Sequence, residues 1–131
     1  MAFAHESIIA LLHKIKYPYN INQLTQEVLI TAIQNYKSKD KMVTELLNER
    51  KKVEEKLARF SFVKKIHPSQ ANFLLVRFDD HLKIYNYLLG HGILVRNYAH
   101  AEYSPGCLRI TIGTKDENNK LLNLLEKLDQ A

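Results

Sequence analysis

The chain has 131 residues, of which 46% are hydrophobic and 25% are charged, so it suits one ordinary soluble domain and not a largely disordered or collagen-like protein. Its net charge of +5 is a mild basic bias. No apolar run approaches the roughly 18 residues of a membrane-spanning helix, and residues 1–6 lack the pattern of a secretory signal. The single cysteine, Cys107, excludes an internal disulfide and predicts a reducing, cytoplasmic location.

The densest cluster of basic residues lies between residues 37 and 59. Four glutamates, Glu45, Glu49, Glu54 and Glu55, are interleaved with it. Mixed signs at helical spacing are typical of a solvated helix face with i,i+4 ion pairs, whereas a surface that follows a phosphate backbone carries less acid and more aromatic residues. We therefore expect neither a nucleic-acid partner nor a membrane partner.

The first half of the chain has the apolar spacing of helices. Residues 5–15 predict one helix, which Pro18 ends, and Asn20 or Asn22 can begin the next. Apolar residues continue at helical spacing through residues 22–60. That stretch is either two helices or one bent helix, with Ser38-Lys39-Asp40 as a possible break.

After residue 60 the pattern changes to that of short strands. Four segments are predicted to be strands: residues 62–66, 72–78, 93–97 and 108–112. A helix that begins after Asp79 or Asp80, and that Gly90 or Gly92 ends, separates the second strand from the third. An irregular loop over residues 98–106 joins the last two strands.

Thr114 can cap a final helix, and Glu117 completes a capping box with it. Four leucines form the predicted buried stripe of that helix: Leu121, Leu122, Leu125 and Leu128. The whole order, α-α-α-β-β-α-β-β-α, predicts an α+β fold of two layers, with helices packed on a small and mostly antiparallel sheet. The order of the strands within the sheet does not follow from the sequence.

The usual signatures of catalytic and cofactor sites are missing from the sequence. The six histidines have no metal-ligand spacing. Gly90-His91-Gly92 follows a helix and precedes a strand, the reverse of a dinucleotide-binding loop. Cys107 is better explained as a small buried residue than as a nucleophile. We therefore predict no catalytic residue, no cofactor-binding residue and no metal ligand in this chain.

Two arginines on predicted strands are the candidate site residues. Arg109 lies in mid-strand between Leu108 and Ile110, which point the other way, and Arg96 ends the preceding strand. A guanidinium on a sheet suits a bidentate contact with a carboxylate or a phosphate. The alternatives are a solvent-facing role or a structural pair with an acid such as Glu102 or Asp116. Two tyrosines of the intervening loop are further candidates: Tyr98 and Tyr103.

Several segments together resemble the C-terminal third of the histidinol-phosphate aminotransferases, which are fold-type-I pyridoxal-phosphate aminotransferases. The segments are Pro18-Tyr19-Asn20, Pro68-Ser69, Ala71-Asn72-Phe73-Leu74-Leu75-Val76-Arg77-Phe78, Gly92-Ile93-Leu94-Val95-Arg96-Asn97 and Cys107-Leu108-Arg109-Ile110-Thr111-Ile112-Gly113-Thr114 with Glu117-Asn118. They occur in order along essentially the whole chain.

The resemblance implies that residues 1–20 are the tail of a large cofactor-binding domain and its connection, and that residues 21–131 are the C-terminal small domain. Pyridoxal 5′-phosphate would be held in the full-length enzyme by a lysine upstream of this chain. No lysine here matches that position, so the fragment alone should be inactive. The family also implies a homodimer.

In the family, the arginine that matches Arg109 binds the anionic end of the substrate, and the one that matches Arg96 helps to hold a phosphate. The implied substrates are glutamate with 2-oxoglutarate and histidinol phosphate with imidazole-acetol phosphate, in histidine biosynthesis. The alternatives are a related aminotransferase or a threonine-phosphate decarboxylase. A more distant alternative is a non-enzymatic α+β binding module, for example for RNA.

Overall fold

A computed structural model of the chain describes residues 3–17, 21–99 and 104–130. Within these ranges the predicted order of elements, and with it the α+β fold class, is confirmed. The elements are α1 (Glu6–Ile15), α2 (Gln23–Gln34), α3 (Tyr36–Leu57), β1 (Val63–His67), β2 (Phe73–Phe78), α4 (His81–Gly90), β3 (Arg96–Asn97), β4 (Cys107–Thr111) and α5 (Lys115–Asp129). The chain forms two compact units, Met1–Lys39 and Asp40–Ala131.

The first unit contains α1 and α2. The side chain of Asn22 caps α2 by accepting a hydrogen bond from the Thr25 amide at 2.9 Å. The other predicted cap, Asn20, lies outside the described residues. Both helices carry exposed apolar side chains, among them Leu11, Ile15, Leu24, Val28 and Ile33. No helix in the described ranges has the length and apolar character needed to cross a membrane.

The stretch over residues 22–60 consists of two helices, and the break lies at Asn35. Asn35 has φ −97° and ψ 30°, and its amide donates to Thr31 O. The Ser38 amide donates to the Asn35 carbonyl at 3.0 Å and so begins the first turn of α3. The possible break at Ser38-Lys39-Asp40 is therefore wrong, because these residues already lie within α3.

The second unit is built on a four-stranded sheet in the order β1-β2-β4-β3, in which every pair of neighbours is antiparallel. One sheet face forms the core, with Leu74 and Val76 of β2 and Leu108 and Ile110 of β4 at most 1% exposed. Apolar residues of α3, α4 and α5 complete this core: Val53, Leu57, Ile84, Leu88, Leu121, Leu122 and Leu125. This arrangement has the two layers that the sequence predicts.

The third strand is shorter than predicted. Only Arg96 and Asn97 pair with β4, and residues 93–95 do not. The Ile93 amide donates instead to Leu88 O at 2.9 Å. Gly92 precedes it with a φ of +73°, a left-handed conformation that glycine adopts without a steric penalty. The Ile93 amide therefore bonds to a carbonyl at the end of α4 instead of pairing with β4.

The predicted capping box at the start of α5 is confirmed. The Thr114 amide donates to Glu117 Oε2 at 2.7 Å, and the Glu117 amide donates to Thr114 Oγ1 at 3.3 Å. The backbone and hydroxyl donors of Thr114 hold the pKa of the Glu117 carboxyl below its ordinary value. The box positions the first turn of α5 directly after β4.

We expect Thr114→Ala to lower the free energy of unfolding of the chain by about 0.5–2 kcal/mol, since it removes a helix cap. Chemical denaturation measures this loss. The control is Thr44→Ala, at an exposed position within α3, where the hydroxyl donates to Asp40 O of the same helix and caps no helix end. Because the pKa of Glu117 is lowered by folding, its carboxylate contributes to the free energy of unfolding at pH values above the unfolded-state pKa. This contribution is lost as the pH falls through the folded-state pKa. A difference in the free energy of unfolding between wild type and Glu117→Gln that grows in acid would contradict this account.

Candidate anion-binding site

The structure brings the two predicted arginines together. Arg96 of β3 and Arg109 of β4 are directly opposite each other in the antiparallel register. Residues directly opposite on neighbouring strands project from the same sheet face. Leu108 and Ile110, on either side of Arg109, are buried in the core. Both guanidinium groups therefore extend from the sheet face opposite the core.

The two arginines line one open cleft of about 550 Å³. The other residues that line it lie in the segment 94–97, at Tyr85 of α4 and at Thr111 of β4. Arg96 is exposed and Arg109 is half-buried. The cleft is large enough for a small anionic molecule to reach both guanidinium groups from solvent.

Two aromatic rings lie near the guanidinium groups. The Arg109 Cζ atom is 5.3 Å from the centroid of the Phe73 ring and 5.6 Å from that of Tyr98. The Arg96 Cζ atom is 5.7 Å from the same Tyr98 ring. All three distances are within the range of a cation–π attraction, which does not occupy the N–H donors of the guanidinium groups and leaves them available for a carboxylate or a phosphate.

Among the residues that the structure describes, neither arginine has a carboxylate partner. Asp116, one of the two acids weighed as a structural partner, forms no ion pair with either arginine within those residues. The other, Glu102, lies outside them. The buried Nε of Arg109 has no hydrogen-bond acceptor in the described part of the chain. Such a buried donor needs an acceptor from outside the described residues, either a water molecule or an oxygen of a bound anion.

The positive charge continues along the same sheet face. Leu75 is directly opposite Arg109, and Arg77 follows two residues later on the same strand, so Arg77 shares this face. Lys65 of β1 is opposite Arg77. The four described strands contain no aspartate or glutamate. This sheet face therefore attracts anions.

Cys107 lies on β4, two residues before Arg109, and is 1% exposed. Its Sγ is 3.9 Å from the Nε2 of His67. Burial is the main cause that raises the pKa of the Cys107 thiol above its ordinary value. A thiol that stays protonated is a poor nucleophile. The geometry therefore agrees with the prediction that Cys107 is a small buried residue.

Sequence reasoning missed two aromatic residues of the site. They are Tyr85 of α4, which lines the cleft, and Phe73 of β2, whose ring lies near Arg109. The alternation along β2 shows that Phe73 points away from the buried Leu74, but its contact with Arg109 depends on the register between β2 and β4. Tyr98, which the sequence did single out, contacts both arginines. Tyr103 lies outside the described residues.

Comparisons with known proteins find relatives of this chain both in sequence and in structure. The family described as aminotransferase class I and II matches residues 1–125. A histidinol-phosphate aminotransferase of Bacteroides thetaiotaomicron is 47% identical over 127 residues, which are 97% of this chain and 37% of that protein. The chain thus spans a little over a third of this curated relative.

Two solved structures share the fold. The histidinol-phosphate aminotransferase of Clostridium acetobutylicum matches with a TM-score of 0.86 and 24% identity over 95% of this chain and 38% of its own. That of Sinorhizobium meliloti, solved in complex with pyridoxal-5′-phosphate, matches with a TM-score of 0.79 and 21% identity over 95% of this chain and 34% of its own. These matches confirm the small-domain fold that the sequence resemblance implied.

Proposed function

Because the chain belongs to the class I and II aminotransferase family, we propose that it is the substrate-binding small domain of a histidinol-phosphate aminotransferase. The complete protein would transfer an amino group between glutamate and imidazole-acetol phosphate in histidine biosynthesis. The similarity to the Bacteroides thetaiotaomicron protein over 97% of the chain supports this choice within the family.

The observation that carries the proposal is the pairing of Arg96 with Arg109 across β3 and β4. Two guanidinium groups on one sheet face, without a carboxylate partner among the described residues, suit a doubly charged phosphate better than a single carboxylate. We assign Arg109 to the anionic end of either substrate, the α-carboxylate of glutamate or the phosphate of histidinol phosphate. We assign Arg96 to the phosphate. Their contribution is positioning and electrostatic attraction.

The residues that line the arginine cleft include no lysine, so no amine is placed there to hold the cofactor covalently. As the family resemblance implies, we assign the cofactor, and the lysine that binds it, to the rest of the complete protein, of which this chain covers a little over a third in the curated relative. No catalytic residue of this chain is proposed.

We further propose that residues 1–20 belong to the large cofactor-binding domain and that residues 21–131 form the small domain, as the family resemblance implies. The complete protein would be a cytoplasmic homodimer in which the large domain makes most of the dimer contact. The exposed apolar side chains of α1 and α2, such as Leu11 and Leu24, are consistent with a surface that contacts other parts of a longer protein.

An assay of the complete protein tests this function. We expect amino transfer from histidinol phosphate to 2-oxoglutarate with a higher kcat/KM than transfer from phenylalanine, because phenylalanine has no phosphate for the arginine pair. The 131-residue chain alone should show no turnover. Preferential transfer from phenylalanine, or decarboxylation of threonine phosphate, would replace this function with that of a relative. Turnover by the chain alone would contradict the assignment of the lysine to the rest of the protein.

A further inference from the structure

We propose that Tyr98 is a positioning residue that holds Arg96 and Arg109 as one phosphate-binding pair. This inference rests on the proposed function and adds a residue to it. Tyr98 follows Arg96 by two residues, and its amide continues the pairing with β4 by donating to Cys107 O, so its side chain projects from the same sheet face as that of Arg96. Its ring centroid is 5.7 Å from the Cζ of Arg96 and 5.6 Å from the Cζ of Arg109.

The backbone of Tyr98 is held in place on both sides. Its amide donates to Cys107 O at 3.0 Å, which extends the pairing of β3 with β4 by one residue. Its carbonyl accepts a hydrogen bond at 3.0 Å from the hydroxyl of Ser104, a buried residue. The Asn97 side chain accepts a hydrogen bond at 2.9 Å from the Ala99 amide directly after it. These bonds restrict the direction in which the Tyr98 ring can point.

The Tyr98 ring reduces the electrostatic repulsion between the two arginines. Arg96 and Arg109 carry like charges at directly opposite positions, and such pairs repel each other. The electron-rich face of an aromatic ring attracts both cations, and this attraction leaves their N–H donors available to a ligand. Tyr98 therefore lowers the cost of holding the two guanidinium groups close together before the anion arrives.

The two arginines do not depend on Tyr98 equally. Arg109 also has the Phe73 ring, 5.3 Å from its Cζ. For Arg96, Tyr98 is the only ring contact found among the described residues. Loss of the Tyr98 ring therefore disorders Arg96 more than Arg109. It therefore weakens the binding of a phosphate, which both arginines contact, more than the binding of a carboxylate, which Arg109 contacts alone.

The test compares Tyr98→Leu, Tyr98→Phe and a matched control, Tyr87→Leu, in the complete holoenzyme. Tyr87 is a half-buried tyrosine of α4 whose ring contacts His91, not an arginine. The readouts are the dissociation constant of inorganic phosphate by calorimetry, and KM and kcat for histidinol phosphate and for glutamate. Thermal unfolding identifies variants that lose stability.

We expect Tyr98→Leu to weaken phosphate binding about tenfold and to raise the KM for histidinol phosphate by a similar factor. Its kcat and its KM for glutamate should change by about twofold or less. Tyr98→Phe keeps the ring and should bind phosphate as the wild type does. The control should do the same.

Three results would overturn the positioning role of Tyr98. They are wild-type protein that does not bind inorganic phosphate, Tyr98→Leu with an unchanged phosphate dissociation constant, and Tyr98→Phe as impaired as Tyr98→Leu. A protein whose phosphate binding depends on Tyr98, but which transfers no amino group from histidinol phosphate, would overturn the proposed function and support the positioning role. The two failures are therefore distinguishable.

Discussion

We expect Arg109→Gln to lower the kcat/KM of the complete protein by about 30- to 1,000-fold with both histidinol phosphate and glutamate. Removal of one partner of a charged, partly desolvated contact typically costs about 2–4 kcal/mol of binding free energy, and each 1.4 kcal/mol corresponds to about a factor of ten. Arg109 is half-buried beside Phe73 and Tyr98, so its guanidinium is partly shielded from water.

The neighbouring arginine provides an internal comparison. Arg96→Gln should lower kcat/KM for histidinol phosphate by about 10- to 100-fold. It should leave kcat/KM for glutamate within about threefold of the wild-type value, because only the phosphate reaches both guanidinium groups. Arg109→Lys keeps the charge but loses the planar fork, so its activity should lie between that of Arg109→Gln and the wild type.

Arg77→Gln is the matched control for these variants. Arg77 lies on the same sheet face, is exposed and does not line the arginine cleft. It should change kcat/KM by about twofold or less, since it contributes only to the general positive potential. An effect of Arg77→Gln as large as that of Arg109→Gln would mean that the net charge of the face, and not the arginine pair, attracts the substrate.

The second large effect that we expect is a loss of about 2–5 kcal/mol in the free energy of unfolding for Leu108→Ala. Leu108 is 0% exposed and lies on β4 immediately before Arg109. Shortening its side chain leaves a cavity in the core between the sheet and its helices. Chemical denaturation of the 131-residue chain measures the loss as a shift of the unfolding midpoint.

Leu82→Ala is the control for the core variant, because Leu82 of α4 is 52% exposed and alanine is also a good helix former. It should change the free energy of unfolding by about 0.5 kcal/mol or less. Equal losses for the two variants would show that β4 does not lie in the packed centre of the second unit.

Features that depend on residues close in sequence could be predicted. The capping box needs only Thr114, Glu117 and the intervening turn, and both partners lie within four residues of each other. The alternation along β4 likewise places Arg109 on the face opposite Leu108 because strand side chains alternate. The order of helices and strands was also predictable from such local patterns.

Features that depend on contacts between distant segments could not be predicted. The sequence suggested that Arg96 and Arg109 lie on strands, but their opposition follows from β3 pairing with β4 in one particular register. A shift of that register by one residue would send the two side chains to different faces. The contact of Phe73 with Arg109 depends in the same way on the register of β2 with β4.

Two local expectations were wrong because backbone hydrogen bonds determined the element ends. Residues 93–95 have the composition of a strand, yet the Ile93 amide is used at the end of α4. The Ser38-Lys39-Asp40 segment has residues typical of a break, yet the Ser38 amide finds the Asn35 carbonyl and α3 continues through it. In both places, one hydrogen bond outweighed a weak propensity.

A crystal structure of the complete protein with histidinol phosphate tests the central claim most directly. We predict phosphate oxygens within about 3.2 Å of both the Arg96 and the Arg109 guanidinium groups, on the sheet face opposite the core. A phosphate bound elsewhere, with the two arginines paired to carboxylates of the protein itself, would contradict it.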